Sequence, residues 1–315
     1  MSETKEKWVE ITVLTPPELV DALSNFLEEL GADGVFQEGG AEESFNNLKA
    51  SAQEEINAYL PWTHNVKKQI ARIETYIDSL SLLFPRMEKP RFSTKTIIDP
   101  DWGEQWKKYF KPLRVSNNII IKPTWERYSP VGHDIVIDID PGMAFGTGQH
   151  SSTMMCIMAI EDILLKNSER EKYDILDVGT GTGILAICAA KLGAHMVTGI
   201  DIDPKAVEIA GKNIVINGVE DRVEIINRDI ALCRGSFDLI AANLISGALI
   251  KLHSHLISLA KPGGYIIASG ITEQDAKDVE KIFCNGETAL YETRSENEWV
   301  CYTFKKTGRQ GDALP

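Results

Sequence analysis

The stretch from Tyr173 to Asp203 constrains the fold more than any other. The apolar run "YDILDVG" (173–179) meets glycines at 179, 181 and 183, the segment "GILAICAAKLG" (183–193) follows, and "MVTGIDID" (196–203) ends in acids. A short apolar run closed by glycine reads as a strand buried on both faces, and the longer segment after it as a helix. The alternation continues through a helix near 204–217, the strands "RVEIINRD" (222–229) and "FDLIAAN" (237–243), a helix over 246–260, the turn "KPGG" and the strand "YIIAS" (265–269). Such repetition predicts a parallel sheet with helices on both faces, a doubly wound α/β domain. Its ligands bind at the carboxyl ends of the strands.

Those ends are Asp177 to Gly183, Asp201 and Asn243. A dinucleotide fingerprint starting at Gly179 needs glycine or alanine at 184, where Ile184 stands. Asp177 is also wrong for a pyrophosphate, because a carboxylate beside a helix N-terminus repels it; the same carboxylate suits a ligand carrying an ammonium and a sulfonium. S-adenosyl-L-methionine carries both. Glycine lets backbone approach its amino-acid end, and Asp201, 22 positions after Gly179, can accept hydrogen bonds from both ribose hydroxyls. The bland alternative makes the glycines tight turns and the acids helix caps. "TALYETR" (288–294) and "EWVCYTFK" (298–305), joined at Ser295-Glu296-Asn297, read as an antiparallel hairpin at the sheet edge. With that hairpin the domain resembles the seven-stranded, Rossmann-like methyltransferase fold.

The first hundred residues follow another pattern. "WVEITVL" (8–14) reads as a strand, and Thr15-Pro16-Pro17-Glu18 as a capping box. Leu19, Leu23, Phe26, Leu27 and Leu30 form one helical stripe that Gly31 ends. "GVFQE" (34–38) is a short strand, Ile56, Ala58 and Leu60 alternate as in a half-buried one, Val66, Ile70, Ile73, Ile77, Leu80 and Phe84 mark a second helix, and "RFSTKTII" (91–98) a last strand. The order β-α-β-β-α-β is that of a small ferredoxin-like α+β domain. That fold hosts many functions, so its role here is either binding or purely structural. Trp102, Trp106 and Phe110 share a four-residue period that buries them on a short helix, against the alternative of stacking on bases. The expected organisation is a ferredoxin-like domain over 1–99, a connector over 100–130, the α/β domain over 131–308 and a frayed tail over 309–315.

Charge narrows the partners. With 33 basic and 46 acidic side chains the net charge is −13, which argues against a partner held by its phosphates, so no direct nucleic-acid binding is expected. No apolar run is long enough to span a membrane, and "MSETKEKW" lacks a signal peptide's apolar core, which places the chain in the cytoplasm. Cys156, Cys188, Cys233, Cys284 and Cys301 lie far apart and read as buried thiols. His253 and His255 project about 200° apart on a helix, which makes them surface residues rather than joint metal ligands.

With "DPGMAFGTGQH" (140–150), "DVGTGTGILAICAAKLGA", "GIDIDPKAVEIAGKN", "AANLISG" and "EWV" together, the sequence resembles the PrmA family across nearly its whole length. These bacterial enzymes methylate protein eleven of the large ribosomal subunit, at lysine side chains and the N-terminal amine. The resemblance implies that the first domain recognises that protein and that the second binds S-adenosyl-L-methionine through Thr153, Gly179, Gly181, Asp201 and Asn243. Ser152 and Thr182 depart from the family's usual threonine and serine without removing a hydroxyl. Glycines 142, 146 and 148 would let a loop fold over the cofactor, with Phe145 covering the adenine or lining an amine channel. His150 is either a base or a hydrogen-bonded loop residue, and no catalytic residue is assigned. The competing classes are a methyltransferase of the same fold acting on another protein lysine, on a nucleic acid or on a small molecule, a nicotinamide oxidoreductase, and a non-catalytic ribosome-binding module.

Overall fold

The computed structural model describes residues 7–16, 19–32, 35–38, 53–63, 65–85, 87–98, 111–140, 148, 150–166 and 172–307, with backbone alone at 21, 25, 28, 29, 36–38 and 98. The Trp102–Phe110 helix, Pro17 and Glu18, residues 141–147 with Phe145, and the tail from 308 lie outside these residues. The chain divides into two units, Met1–Phe110 and Lys111–Pro315.

In the first unit, β1 (Lys7–Thr15) alternates so that Val9, Ile11 and Val13 are buried. α1 (Val20–Glu29) turns Leu23 and Leu27 inward, and Gly31, at φ +87°, stops it. β2 (Val35–Glu38), β3 (Glu54–Pro61), α2 (Val66–Leu83) and β4 (Arg91–Ile98) complete the expected order. The sheet runs β2-β3-β1-β4 with every pairing antiparallel, which is the ferredoxin-like arrangement. Two details depart from the sequence reading. Ile56 to Leu60 are all buried, not alternately, and the polar members are satisfied within the sheet: the Thr12 hydroxyl donates to Asn57 at 2.8 Å and the Tyr59 hydroxyl to Glu10 at 3.1 Å. Phe84 lies outside the helical stripe, 41% exposed at the end of α2, because the residue before Pro85 is pushed out of helical geometry.

The second unit opens with β5 (Leu113–Arg114), β6 (Ile119–Lys122) and β7 (Ile135–Asp138), a three-stranded sheet formed partly by residues read as connector. Ile119, Ile121, Ile137 and Ile139 join the core that α3 (Ser151–Lys166) shares with the main sheet. That sheet is built from β8 (Asp174–Val178), α4 (Ile184–Lys191), β9 (Met196–Asp201), α5 (Pro204–Asn217), β10 (Val223–Asn227), β11 (Phe237–Asn243), α6 (Ser246–Leu259), β12 (Ala260–Thr272), α7 (Ala276–Phe283), β13 (Thr288–Glu296) and β14 (Trp299–Lys306). Its order is β10-β9-β8-β11-β12-β14-β13, parallel through β12 and then antiparallel to β14, so the tail hairpin extends the sheet as expected. One face packs on α3, α4 and α5, the other on α6 and α7.

The "KPGG" turn is absorbed into β12 as an irregularity in its pairing with β11, and α7 was not legible as an element. The other exceptions are small. Cys284 is exposed while the other four cysteines are buried. His253 and His255 are half-buried rather than on the surface, His253 donating to the Ile250 carbonyl at 2.7 Å and lying edge-on to Phe283. No group of three metal-ligating side chains occurs among the described residues, and none of their helices is long and apolar enough to cross a membrane.

Candidate active site

β8 pairs with β9 on one side and β11 on the other, so the turn after β8 stands between Asp201 and Asn243, the last residues of its neighbours. Gly179, Gly181 and Gly183 have φ of +70°, +54° and +83°, a region that side chains disfavour. A Cβ on Gly179 would also fall 2.6 Å from Leu244 Cδ2, which would have to swing away. The amides of Gly179 and Thr180 both donate to the Ile200 carbonyl, folding the turn over the end of β9. The Gly181 amide then donates to Asp201 Oδ2 at 3.0 Å, and the Asp203 amide to Oδ1 at 2.9 Å. A carboxylate accepts about four hydrogen bonds, so both oxygens keep capacity for a ligand's hydroxyls.

Thr153 reaches the same place from α3. It is buried, and Asn243 Nδ2 donates to its hydroxyl at 3.1 Å, while the Ser269 hydroxyl at the end of β12 donates to the Ser152 carbonyl at 3.0 Å. The strand ends thereby hold the first turn of α3. The Asn243 Oδ1 is buried without a partner among the described residues. His150 caps this turn: its Nδ1 accepts from the Ser152 amide at 3.2 Å and lies 2.7 Å from the Ser152 hydroxyl, with its ring edge-on to Trp299. Gly148, at φ +84°, has a packing reason, since a Cβ there would meet Ile121 at 2.5 Å and Ile184 at 2.8 Å.

Asp177 lies under the turn, 1% exposed. Thr180 donates to its Oδ2 at 2.7 Å, and its Oδ1 has no hydrogen-bond partner within normal geometry among the described residues. Burial pushes the carboxyl up to about 7, with the Thr180 hydroxyl and the Ala186 amide opposing the rise and the nearby Asp201 charge adding to it. Behind it, Cys156 is raised well above an ordinary thiol, by its contact with Cys301 and by burial.

The structure thus joins Gly181 to Asp201 and Thr153 to Asn243, and Leu244 brings Gly179 against the second pair. It adds two residues that the sequence reading passed over. Asn213, buried on α5, donates to the Thr182 carbonyl at 2.9 Å and accepts from the Asp140 amide at 3.4 Å, and Asn217 one turn on brackets the Asp138 backbone. They fasten the segment entering "DPGMAFGTG" to the glycine turn. Amides four apart on the inward side of an apolar helix were the available signal.

The residues present fit a zwitterionic nucleoside. Asp201 offers acceptors for vicinal hydroxyls, Gly183 starts α4 without a side-chain cap, and the buried Asp177 carboxyl suits a cation. Sheet order, glycine turn and following acid together define a methyltransferase of the Rossmann-like, seven-stranded class. The profile of the family described as "Ribosomal protein L11 methyltransferase (PrmA)" matches residues 7–307. Ribosomal protein L11 methyltransferase of Geobacter sulfurreducens is 39% identical over 306 residues, covering 96% of this chain and 99% of the relative. That of Pelobacter propionicus is 37% identical over 305 residues, with the same coverage. The crystal structure of a ribosomal protein L11 methylase from Lactobacillus delbrueckii subsp. bulgaricus superposes at a TM-score of 0.57 with 30% identity, covering 63% of this chain and all of that one (100%). The chain belongs to the ribosomal protein L11 methyltransferase family.

Proposed function

We propose that the second unit binds S-adenosyl-L-methionine at the ends of β8, β9 and β11 and that the enzyme methylates lysine side chains and the N-terminal amine of ribosomal protein L11 in the cytoplasm. The observation that carries this reading is the Gly181–Asp201 bond, which places a free-lipped carboxylate beside a bare turn at adjacent strand ends. Thr153, Gly179, Gly181, Asp201 and Asn243 would hold the cofactor. When bound, it supplies an electrophilic methyl on a sulfonium.

The chain's own task is to align the amine and keep it unprotonated. Taking the proton from a free lysine near pH 7.4 costs about 4 kcal/mol, and a dry surround lowers that cost by disfavouring the ammonium. Asn243 Oδ1, buried and without a partner among the described residues, can accept a hydrogen bond from an incoming amine and fix its direction. His150 Nδ1 is occupied as a helix cap, which supports catalysis by alignment and desolvation without an indispensable base. Incubating purified ribosomal protein L11 with the enzyme and isotopically labelled cofactor, then mapping the label by mass spectrometry, should place it on amines. Label absent from L11, or cofactor that fails to bind, refutes the reading. The first unit is assigned substrate recognition: a chain lacking residues 1–110 should bind cofactor and leave L11 unmodified.

A further inference from the structure

We propose that Gly270, near the end of β12, is a positioning residue for methyl transfer: by carrying no side chain it keeps Asn243 and the Leu244 peptide where the Asn243 Oδ1 can meet an incoming amine. This rests on the functional reading above. Gly270 has φ of +79°, and a Cβ there would lie 2.6 Å from the Leu244 carbonyl oxygen, 3.0 Å from the carbonyl carbon and 3.2 Å from Asn243 Oδ1. The first two are backbone atoms, which cannot rotate away as the end of a side chain can, so relief would take about 1 Å of main-chain movement.

The surrounding bonds resist that movement. The Leu244 amide donates to the Ser269 carbonyl at 3.0 Å, and the Ser269 hydroxyl donates to the Ser152 carbonyl at 3.0 Å. The peptide after Asn243, the end of β12 and the first turn of α3 are therefore tied together. Asn243 is paired with Ser269 across the strands, and its Nδ2 donates to the Thr153 hydroxyl at 3.1 Å. That bond sets which way the amide faces: the nitrogen turns to α3 and the oxygen to the space beside Gly270. The pairing of β12 with β14 is irregular between Ala268 and Ile271, so the glycine stands at a break in the ladder. A side chain at 270 would push on Leu244 and Asn243 together and turn Oδ1 off the line of the amine. Gly263, on the same strand, has φ of +74°, and beyond its chain neighbours no atom of the described residues lies within 4 Å of a Cβ built there. It shares the backbone strain without the collision.

Steady-state methylation of purified ribosomal protein L11 with labelled S-adenosylmethionine compares Gly270→Ala with Gly263→Ala. Both variants should unfold at lower temperature, because each places alanine in left-handed backbone. Only Gly270→Ala should lose kcat, by about a hundredfold as expected for a misplacement of about 1 Å, with KM for L11 and the calorimetric affinity for S-adenosylmethionine little changed. Gly270→Asn, which tolerates left-handed backbone better and carries the same Cβ, should show the same loss, and it replaces the alanine variant if that one does not fold. Because the glycine acts through Asn243, adding Gly270→Ala to Asn243→Ala should cost far less than Gly270→Ala costs alone. Full kcat in a folded variant at 270, an equal loss in Gly263→Ala, additive losses in the double variant, or a loss that falls on cofactor affinity rather than kcat overturns the proposal. An unsubstituted enzyme that binds no cofactor or labels no amine of L11 would instead refute the reading on which it rests.

Discussion

Two buried carboxylates on neighbouring strands of the same sheet show what separates a structural pole from a functional one. Asp238, at the amino end of β11, is 2% exposed and fully engaged: it accepts from Lys261 at 2.8 Å and from the Asp174 amide at 2.9 Å, and Asp174 in turn pairs with His195 and Lys261. Those bonds hold Asp174 below the usual carboxylate range, with the His195 bond the largest cause. Asp177, near the carboxyl end of β8, is as deeply buried at 1% and keeps an oxygen without a hydrogen-bond partner among the described residues. One end of the sheet satisfies its charges internally, and the other leaves acceptors and bare backbone for a ligand. Local rules are broken at the end proposed to bind the cofactor.

The comparison can be broken by substitution. Asp201→Ala removes two charge-assisted bonds to a ligand and the anchor of Gly181, so cofactor affinity should fall about a thousandfold by calorimetry, with little change in unfolding. At the other pole, Asp238→Ala leaves the Asp174 amide unpaired and Lys261 with Asp174 alone, and should cost about 2 kcal/mol in denaturant unfolding while cofactor affinity holds. An affinity loss there would mean that the poles are not independent.

The sign for Asp177 is opposite to that of a paired acid. Its pKa in the folded protein is raised, from an ordinary 3.8 to about 7, so its contribution to stability is fully present below the ordinary value and is lost as pH rises through about 7. Asp177→Asn should therefore stabilise the free protein at pH 8 by on the order of 4 kcal/mol relative to pH 4, when each is compared with the unsubstituted chain. A variant whose stability relative to that chain does not change with pH would show the carboxyl to be ordinary. The smallest effect is expected at His150: replacing it by alanine removes the cap of α3 and should cost about 1 kcal/mol with methyl transfer retained. A drop of about a hundredfold or more in transfer, at unchanged cofactor affinity, would mark His150 as a base instead.

Much of this was legible in the chain because the governing signals are local. The strands and helices of both units follow from periods of two and between three and four, and the glycine turn with Asp201 follows from spacing along consecutive strands. Where the reading slipped, the deciding contact was distant. Ile119–Lys122 looked like connector until Ile135–Asp138 paired with it. Tyr59 and Asn57 looked exposed because their partners, Glu10 and Thr12, stand more than forty positions away. The eight residues of α7 were too few to outweigh the turn residues around them.

By itself, the sequence determined the order of elements, the position of the bare turn and the acid that follows it, because each depends on residues within a few turns of chain. Only the tertiary structure decided that Thr153 would bond Asn243, that Asn213 would tie the turn to Asp140, and that Asp177 would be sealed in with one oxygen lacking a hydrogen-bond partner among the described residues. Hydrogen-bond partnership and dielectric surroundings are set by which surfaces meet when the sheet closes on its helices, and no local pattern carries that information.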